Sequence, residues 1–506
     1  MENVFIKKVK DNRIFIIILV FGIFFRFWKL QEFFTFNFDE EYQALLAWEQ
    51  VKNLHPIWIG VSASNVGYYL GPGFTYLNAF LFYISKDPVI LALSGSAFGI
   101  VTLCIIYFVT AKIFSKKAAI FSALIYACST FIAYFDRRFW NPTPIAFISV
   151  MILYSLFKAK KDSRWLILSV TLMGLSLHIH LSLLAFWPVI ILAIISKIFE
   201  YIKKPYSTNY NYFQPILTIF LSIIGFLFVT FPLLIFDINH NFDNLLMPLR
   251  FISKSISNFR SAGYFWPNLK LFFDTLSHMF FLKPYTNIQD EFGLGIHGTK
   301  SPAYLALIVF SLVILVWMIK ISIKKRECRL LLLSMFSFIF VFLTYSTGGV
   351  EYFLLGFMAL FIIGVGIFLS RMPNFVSLPL IAIYIMLNFY TLLTTQQEQF
   401  GLKARKNLIG KIMPLVGNKS YYLETRTRDK RKYHSAGGWR YLFKVYGKTP
   451  TQSHADDYFG WIYQDEISKE KPEMRVIISE YPTQINQKPI AEFNEGVYYG
   501  YIIENQ

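Results

Sequence analysis

The chain has 506 residues, of which 55% are hydrophobic and only 16% are charged. Soluble domains average roughly 45–50% apolar and 25% charged residues, so this composition excludes an ordinary soluble enzyme. The formal net charge is +18, but the lysines and arginines lie in short links between apolar segments. That distribution indicates membrane topology and argues against nucleic-acid binding.

Apolar segments of about the length that crosses a bilayer recur as far as Leu393. Segment 67–84 is apolar too, but it contains Pro72 between two glycines and many aromatic residues. Because proline interrupts a helix and aromatic side chains favour the membrane interface, we predict an in-plane or re-entrant helix there. Eleven other segments are predicted to span the membrane: 14–30, 88–111, 118–135, 142–157, 165–181, 183–199, 213–236, 302–320, 330–346, 351–370 and 374–393.

The distribution of basic residues predicts the orientation of these spans. With the N-terminus in the cytoplasm, the inner links contain 20 lysines and arginines, whereas the short outer links contain four. Cytoplasmic loops are normally the basic ones. We therefore predict a multi-pass protein of the cell membrane with a cytoplasmic N-terminus.

After Leu393 the sequence becomes charged and polar. Residues 394–506 are predicted to form a small mixed α/β domain on the extracytoplasmic side, following a transmembrane catalytic domain at 1–393. The predicted fold class is thus a polytopic all-α membrane protein with a small C-terminal α/β domain. The runs that suggest this domain are alternating or rich in β-forming residues: 420–425, 439–446, 458–463, 474–480 and 496–503.

Three consecutive acids, Asp39, Glu40 and Glu41, follow the first span, where the chain leaves the membrane. Carboxylates at the edge of a low-dielectric slab lose solvation, so their presence there needs a compensating role. Asp39 or Glu40 is a candidate general base for transfer of a group to a hydroxyl or amine. The alternative is a solvated helix start, since acids are favoured in the first turn of a helix.

The short outer loop at 134–144 contains Arg137, Arg138 and Asn141. Arginine binds phosphate bidentately and keeps its charge, so this loop is a candidate site for a lipid-linked phosphate. Two snorkelling arginines that contact lipid headgroups would give the same pattern.

Further polar residues fall on the predicted outer face and are candidates for lining the same cavity. Arg26 is expected to snorkel or to pair with Asp39 or Glu40. His178 and His180 stand at i and i+2, which is a poor spacing for binding one metal ion. We favour a role as polar caps of the helix end over hydrogen bonds to a substrate. The complete set is Arg26, His178, His180, Asp237, His240, Glu351 and Tyr352.

Taken in order, these residues resemble the GT-C class of membrane glycosyltransferases, specifically glycosyltransferase family 39. That family contains protein O-mannosyltransferases and the aminoarabinose transferases that modify lipid A. The similarity covers about residues 14–370. It rests on Arg26-Phe-Trp-Lys-Leu30, Asp39-Glu40, Gly71-Pro72 with the aromatic run 74–83, Asp87-Pro88, Ala111-Lys-Ile-Phe114, Arg138-Phe-Trp-Asn141-Pro142, His178-Ile-His180-Leu181, Phe231-Pro232 with Phe236-Asp237 and His240, and Glu351-Tyr352.

The resemblance implies that a sugar is transferred from a polyprenyl-phosphate donor on the extracytoplasmic face, with inversion at the anomeric carbon. It also implies that Asp39 is the general base and Glu40 the second acid of the pair. Arg138 and Asn141 match the loop that contacts the donor phosphate or sugar in relatives. The implied partners are the lipid-linked donor, the bilayer and an acceptor that the sequence does not specify.

One departure from the family concerns the phosphate site. Some relatives carry a lysine just before the Gly-Pro motif, whereas residues 65–70 contain none here. Arg137, Arg138 or Lys86 would have to replace that lysine. No cofactor and no metal ion are expected, because relatives of this branch are generally metal-independent.

Two other functions are compatible with a polytopic chain. A lipid or glycan transporter or flippase usually binds its substrate near the bilayer midplane through interrupted helices, whereas the polar residues here crowd one face. An O-antigen-type ligase or polymerase would also use lipid-linked donors, and the long outer segment 237–300 suits it.

Overall fold

The computed structural model describes most of the chain. The described residues are 13–63, 67–202, 213–247, 249–250, 263–284, 294–295, 298–299, 301–345, 348–396, 399–427 and 434–505.

The described residues as far as Thr394 are mostly helical, and the helices are numbered here in chain order. Short 3-10 turns, Leu181–Phe186 and Glu351–Leu354, lead into α10 and α15, and two small hairpins are formed by β1 with β2 and by β3 with β4. The helices are α1 (Arg13–Phe27), α2 (Leu30–Phe33), α3 (Phe38–Asn53), α4 (Gly73–Ile84), α5 (Val89–Ile113), α6 (Lys116–Cys128), α7 (Thr130–Asp136), α8 (Ile145–Ala159), α9 (Trp165–Ser176), α10 (Trp187–Ile202), α11 (Phe213–Asn239), α12 (Phe265–His278), α13 (Leu305–Lys324), α14 (Arg326–Leu343), α15 (Leu355–Arg371) and α16 (Asn374–Thr394), and the hairpin strands are β1 (Ser62–Ala63), β2 (Tyr68–Tyr69), β3 (Leu294–Gly295) and β4 (Gly298–Thr299).

The predicted spans coincide with helices throughout. The segment 118–135 is divided into α6 and α7, which are bent by 67°. Six of the described helices are long and apolar enough to cross a membrane, or seven if that bent pair is one span. Some predicted spans, such as α8 and α9, are shorter apolar helices.

Helix α4 occupies the apolar segment that was predicted not to span. It begins at Gly73, directly after Pro72, and has 12 residues. A helix of that length rises about 18 Å, well short of the ~30 Å hydrocarbon core. Its placement in the membrane plane stays a prediction.

Helix α15 forms the centre of the helical assembly, where it packs against α6, α8 and α14. Small residues on α15 let its neighbours approach closely. A Cβ atom at Gly366 would lie 2.0 Å from Ser122 Oγ, and one at Gly356 would lie 2.3 Å from Phe338 Cζ.

A buried ion pair joins α1 to the end of α7. Arg26 Nε donates to Asp136 Oδ2 at 2.9 Å, and the hydroxyl of Tyr126 donates to the same oxygen at 3.1 Å. The guanidinium also donates to the carbonyls of Tyr126 and Ala127, each at 3.2 Å. Gly99 on α5 leaves the space, since a Cβ there would lie 2.7 Å from Arg26 Nε.

This ion pair corrects the expectation for Arg26. The suggested pairing with Asp39 or Glu40 is wrong, and so is snorkelling, because Arg26 faces α6 and α7 and is fully buried. A buried guanidinium needs a carboxylate and further acceptors to offset its lost hydration, and Asp136 with the nearby carbonyls supplies them.

The C-terminal part is the small α/β domain that the sequence predicts. Its five-stranded mixed sheet has the order β6-β5-β7-β9-β8, with β5 parallel to β6 and β7. Strand β9 is antiparallel to β7 and β8. The elements are α17 (Leu402–Val416), β5 (Tyr421–Arg426), α18 (Trp439–Tyr446), β6 (Gln452–Ser453), α19 (Asp456–Phe459), β7 (Met474–Ser479), β8 (Ala491–Glu495) and β9 (Tyr498–Glu504).

Two of the five runs that suggested strands are not strands. Residues 439–446 form helix α18, because Trp439, Leu442 and Phe443 stand at i, i+3 and i+4 and bury one helical face. Residues 458–463 include the end of α19 and a turn. The runs at 420–425, 474–480 and 496–503 correspond to β5, β7 and β9.

The predicted orientation can be tested by cysteine labelling in a chain whose natural cysteines are replaced by alanine. Lys161 is exposed in the link between α8 and α9, and Lys488 is exposed in the C-terminal domain. A cysteine at 161 should react with an impermeant maleimide only in inside-out vesicles, and one at 488 only in right-side-out vesicles. The opposite pattern would refute the orientation.

Candidate active site

The three consecutive acids begin helix α3. Asn37 is the N-cap, and its backbone N–H donates to Glu40 Oε2 at 3.2 Å, which is one half of a capping box. Successive residues of a helix project about 100° apart. Asp39, Glu40 and Glu41 therefore point in three directions and meet three environments.

Glu40 forms a buried ion pair with Arg138 of the 137–144 loop. Arg138 Nε donates to Glu40 Oε1 at 2.6 Å, and neither side chain is more than 1% exposed. The guanidinium also lies 3.7 Å from the centre of the Trp140 ring. Burial raises the pKa of Glu40 above its usual value, and the positive charge of Arg138 opposes that rise.

Asp39 is the accessible member of the acid group. Its side chain is 32% exposed, and its Oδ2 lies 4.0 Å from Arg138 Nη2. Asp39 thus shares a cation with Glu40 while keeping an open side toward which a substrate can approach. A partly exposed carboxylate can come within hydrogen-bond distance of an incoming group, which a general base requires.

Glu41 points the opposite way, into the C-terminal domain. Its Oε2 accepts from the backbone N–H of Gly438 at 3.1 Å, and its Oε1 accepts from that of Tyr441 at 3.0 Å. These are the N-cap and third N–H groups of α18, so Glu41 caps that helix from another domain. The N-cap residue itself is a glycine without a capping side chain.

A second hydrogen-bonded group lies one helical turn after Asp39. Gln43 Nε2 donates to Asn141 Oδ1 at 2.7 Å, while Gln43 Oε1 accepts from Thr75 Oγ1 at 3.3 Å. The buried Gln43 side chain thereby links α3, α4 and the loop that carries Asn141. Of the sequence-predicted site residues, Asp39, Glu40, Arg138 and Asn141 are brought together in this way.

Arg137 occupies a different environment from its neighbour. Its Nη2 donates to the carbonyl of Phe25 at 2.7 Å, its Nε donates to that of Arg26 at 3.3 Å, and its guanidinium lies 4.5 Å from the Phe33 ring centre. Arg137 therefore satisfies the last carbonyls of α1, which have no partner within the helix. This geometry favours a helix-capping role over phosphate binding.

The two histidines of the 178–180 segment have structural partners. His178 Nδ1 accepts from the N–H of Gly73 at 3.1 Å, and its Nε2 donates to the carbonyl of Val229 at 2.8 Å. This arrangement fits a neutral ring. His180 Nδ1 accepts from the N–H of Ser182 at 3.1 Å and caps the turn that follows. Both contacts agree with the polar-cap interpretation.

Lys86, Asp237 and His240 also have local partners. The ammonium group of Lys86 lies 4.2 Å from the centre of the Trp48 ring. Asp237 Oδ1 accepts from the N–H of Leu245 at 3.0 Å. His240 is exposed and stacks on Phe236 with ring centres 4.0 Å apart. For Asp237 and His240 these contacts stabilise the turn after α11.

Glu351 has a partner that sequence reasoning missed. His278 Nδ1 lies 2.6 Å from Glu351 Oε1, and His278 Nε2 lies 2.8 Å from the carbonyl of Ser301, with both side chains buried. Because the carbonyl only accepts, the ring must donate from Nε2, and the pair shares one further proton between Nδ1 and the carboxylate. Tyr352 packs edge-on against Trp140 with ring centres 4.7 Å apart. It therefore connects this segment to the ring on which Arg138 lies.

Among the described residues, no three His, Cys, Asp or Glu side chains are grouped so that they could hold a metal ion. The described site brings together one partly exposed carboxylate, a buried arginine and side-chain amides.

Comparison with known proteins identifies the fold. Residues 70–230 match the family model described as dolichyl-phosphate-mannose-protein mannosyltransferase. ArnT from Cupriavidus metallidurans bound to undecaprenyl phosphate aligns with a TM-score of 0.60 and 10% identity, over 97% of this chain and 98% of that one. The chain has the ArnT fold.

The same enzyme in its apo state gives a TM-score of 0.59 at 9% identity, covering 96% of this chain and 97% of ArnT. No curated protein matches the sequence significantly. The family model and the fold together confirm the predicted resemblance to GT-C membrane glycosyltransferases. The ArnT fold includes the C-terminal sheet domain, since the alignment extends over nearly all of both chains.

Because Glu41 is buried, we expect the free energy of unfolding to depend on pH. Burial raises its pKa from 4.5 to about 7 despite the nearby Arg440 and Arg405 guanidinium groups. Between these values the folded state binds more protons than the unfolded chain, so the free energy of unfolding falls as pH rises from about 5 to about 7. The fall is up to about 3 kcal/mol.

The measurement is the thermal unfolding of purified protein at pH 5, 6, 7 and 8. In Glu41→Gln this contribution should be absent, so the difference in Tm between wild type and variant should change with pH. Glu470→Gln, which alters an exposed acid of the same domain, is the control. A constant difference for Glu41→Gln would exclude titration of this carboxyl in that range.

Proposed function

We propose that this protein transfers a sugar from a polyprenyl-phosphate-linked donor to an acceptor on the extracytoplasmic face of the membrane, with Asp39 as general base. The acceptor hydroxyl or amine attacks the anomeric carbon as the bond from that carbon to the phosphate oxygen breaks. Asp39 takes the acceptor proton, and the leaving polyprenyl phosphate keeps the electron pair. A single displacement of this kind inverts the anomeric carbon.

The observation that carries the proposal is that the neighbouring acids Asp39 and Glu40 differ in exposure and in pairing. Glu40 is buried and bonded to Arg138, whereas the Asp39 carboxylate is partly exposed and lies 4.0 Å from the same cation. A general base must reach its substrate, and Asp39 meets that requirement. Its fixed geometry also reduces the entropy that the reaction would otherwise lose in orienting the base.

The donor phosphate needs a cation and hydrogen-bond donors near the base. Arg138 and Asn141 are the predicted donor-site residues that the 137–144 loop holds beside α3. Arg137 is bonded to the end of α1 and Arg138 to Glu40 beside Asp39. The proposal assigns the phosphate to Arg138 and Asn141 because these two side chains, unlike Arg137, lie on the α3 side of the loop. A polyprenyl tail remains in the bilayer, which suits a site at the end of the membrane-spanning helices.

The similarity to a protein crystallised with undecaprenyl phosphate supports a lipid-phosphate donor. The family model, described by mannose transfer from dolichyl phosphate, supports the same class of donor. Neither specifies the sugar or the acceptor. The proposed reaction uses side chains of this protein and the two substrates, and the absence of a metal ion or cofactor is part of the proposal.

Asp39→Asn tests the base directly. The amide keeps the shape of the side chain but cannot accept the proton, so kcat should fall by roughly 10²–10⁴. Transfer is measured with a panel of polyprenyl-phosphate sugars and a native envelope extract as acceptor. Asp243→Asn, an acid-to-amide change at an exposed surface ion pair, should retain wild-type kcat. Full activity in Asp39→Asn would overturn the assignment.

Arg138→Lys tests the donor site. Lysine can keep a charge near Glu40, but it lacks the planar fork that would serve both the carboxylate and a phosphate. Losing one charge-assisted hydrogen bond should raise the KM for the donor by roughly tenfold. Arg164→Lys changes an exposed arginine and provides the matched control. A donor KM equal to that of wild type would remove Arg138 from the phosphate site.

A further inference from the structure

The start of helix α3, which carries Asp39, contacts the C-terminal domain as well as the helical assembly. Arg405 of α17 is 1% exposed and points into the turn that precedes α3. Its Nη1 donates to the carbonyl of Phe36 at 2.7 Å, and its Nη2 donates to Asn37 Oδ1 at 3.1 Å. One buried guanidinium from the last domain therefore binds the two residues that directly precede α3.

The guanidinium of Arg405 is itself held rigidly. Its Nε donates to the hydroxyl of Tyr498 at 3.0 Å. Its central carbon lies 4.8 Å from the Trp439 ring centre and 4.9 Å from that of Tyr498. With these rings and acceptors around it, the side chain has little freedom to move away from the turn.

A second contact between the C-terminal domain and the start of α3 involves Glu41. Glu41 accepts two backbone N–H groups at the start of α18, as described above. Arg405 thus bonds the residues before Asp39, and α18 bonds the residue two positions after it. Asp39 lies between the two contacts, and its own carboxylate remains available.

The close approach of the domains requires glycine at Gly438. This residue has φ +85°, which side chains with a Cβ rarely adopt, and a Cβ there would lie 2.7 Å from the carbonyl oxygen of Phe36. Gly401 is similar at the start of α17, where a Cβ would lie 1.9 Å from the carbonyl oxygen of Glu32. At these two glycines the backbone of the domain therefore approaches α2 and the residues just before α3.

We infer that the C-terminal domain completes the active centre, with Arg405 as a positioning residue for Asp39. This inference rests on the proposed function, and it assigns the domain a catalytic contribution that is separate from any binding of acceptor. A base that is displaced by about 1 Å can lose about 100-fold in rate without any change in its own chemistry. Removal of Arg405 should act in this way, through the orientation of α3.

The test compares Arg405→Ala and Arg405→Lys with Lys411→Ala. Lys411 lies on the same helix, where it forms an exposed ion pair with Glu495, so its removal is a matched control. Arg405→Ala should lower kcat about 10- to 100-fold and leave the donor KM and the Kd for undecaprenyl phosphate within about twofold. Arg405→Lys should recover part of kcat, and Lys411→Ala should match wild type.

Hydrogen exchange provides a readout that does not depend on knowing the substrates. In Arg405→Ala, the backbone amides of residues 36–42 should exchange at least about tenfold faster than in wild type, while those of α15 stay unchanged. Unchanged exchange at 36–42 would overturn the inference, and so would equal losses of kcat and undecaprenyl phosphate binding. If Asp39→Asn remains fully active, the proposed function fails first, and the role of Arg405 in positioning a base fails with it.

Discussion

A carboxylate removed from water needs a counter-charge or hydrogen-bond donors, and this constraint shapes the whole region around Asp39. Two of three consecutive acids are buried, and each obtains its partner from a different part of the chain. Glu40 is paired with an arginine between two membrane helices, and Glu41 with the N-terminus of a helix in the last domain. Because both neighbours are fixed, Asp39 is held in position without using its own oxygens.

The segment that contains Arg138 also has neighbouring charged residues that bind different parts of the chain. Asp136, Arg137 and Arg138 are adjacent but have different partners. Asp136 binds Arg26 of α1, and Arg137 binds the carbonyls at the end of α1. Arg138 binds Glu40 of α3. Asp136 and Arg137 thus attach this segment to α1, and this attachment keeps Arg138 beside α3. The position of the Arg138 side chain therefore depends on the end of α7 and the loop that follows it.

The sequence predicted the features that depend on local pattern. The lengths of the apolar segments predicted where helices lie, although only six or seven of the described helices are long and apolar enough to span. The order of the acids, Arg138 and Asn141 in the sequence suggested that these side chains belong to one site. The sequence could not separate Arg137 from Arg138, because the two have the same chemistry and only the packing of α1 against the loop distinguishes them. The sequence could have indicated Gln43 as a site residue, since it stands at i+4 from Asp39 on the same helical face. His278, Arg405 and the partner of Glu41 lie too far along the chain for any local signal.

The contact between Glu41 and Gly438 joins positions 397 residues apart. The ribosome therefore completes the first turn of α3 long before it has made α18, the helix that Glu41 caps. During that interval Glu41 lacks both N–H donors of α18, so the start of α3 acquires its final support only when the last domain has been synthesised.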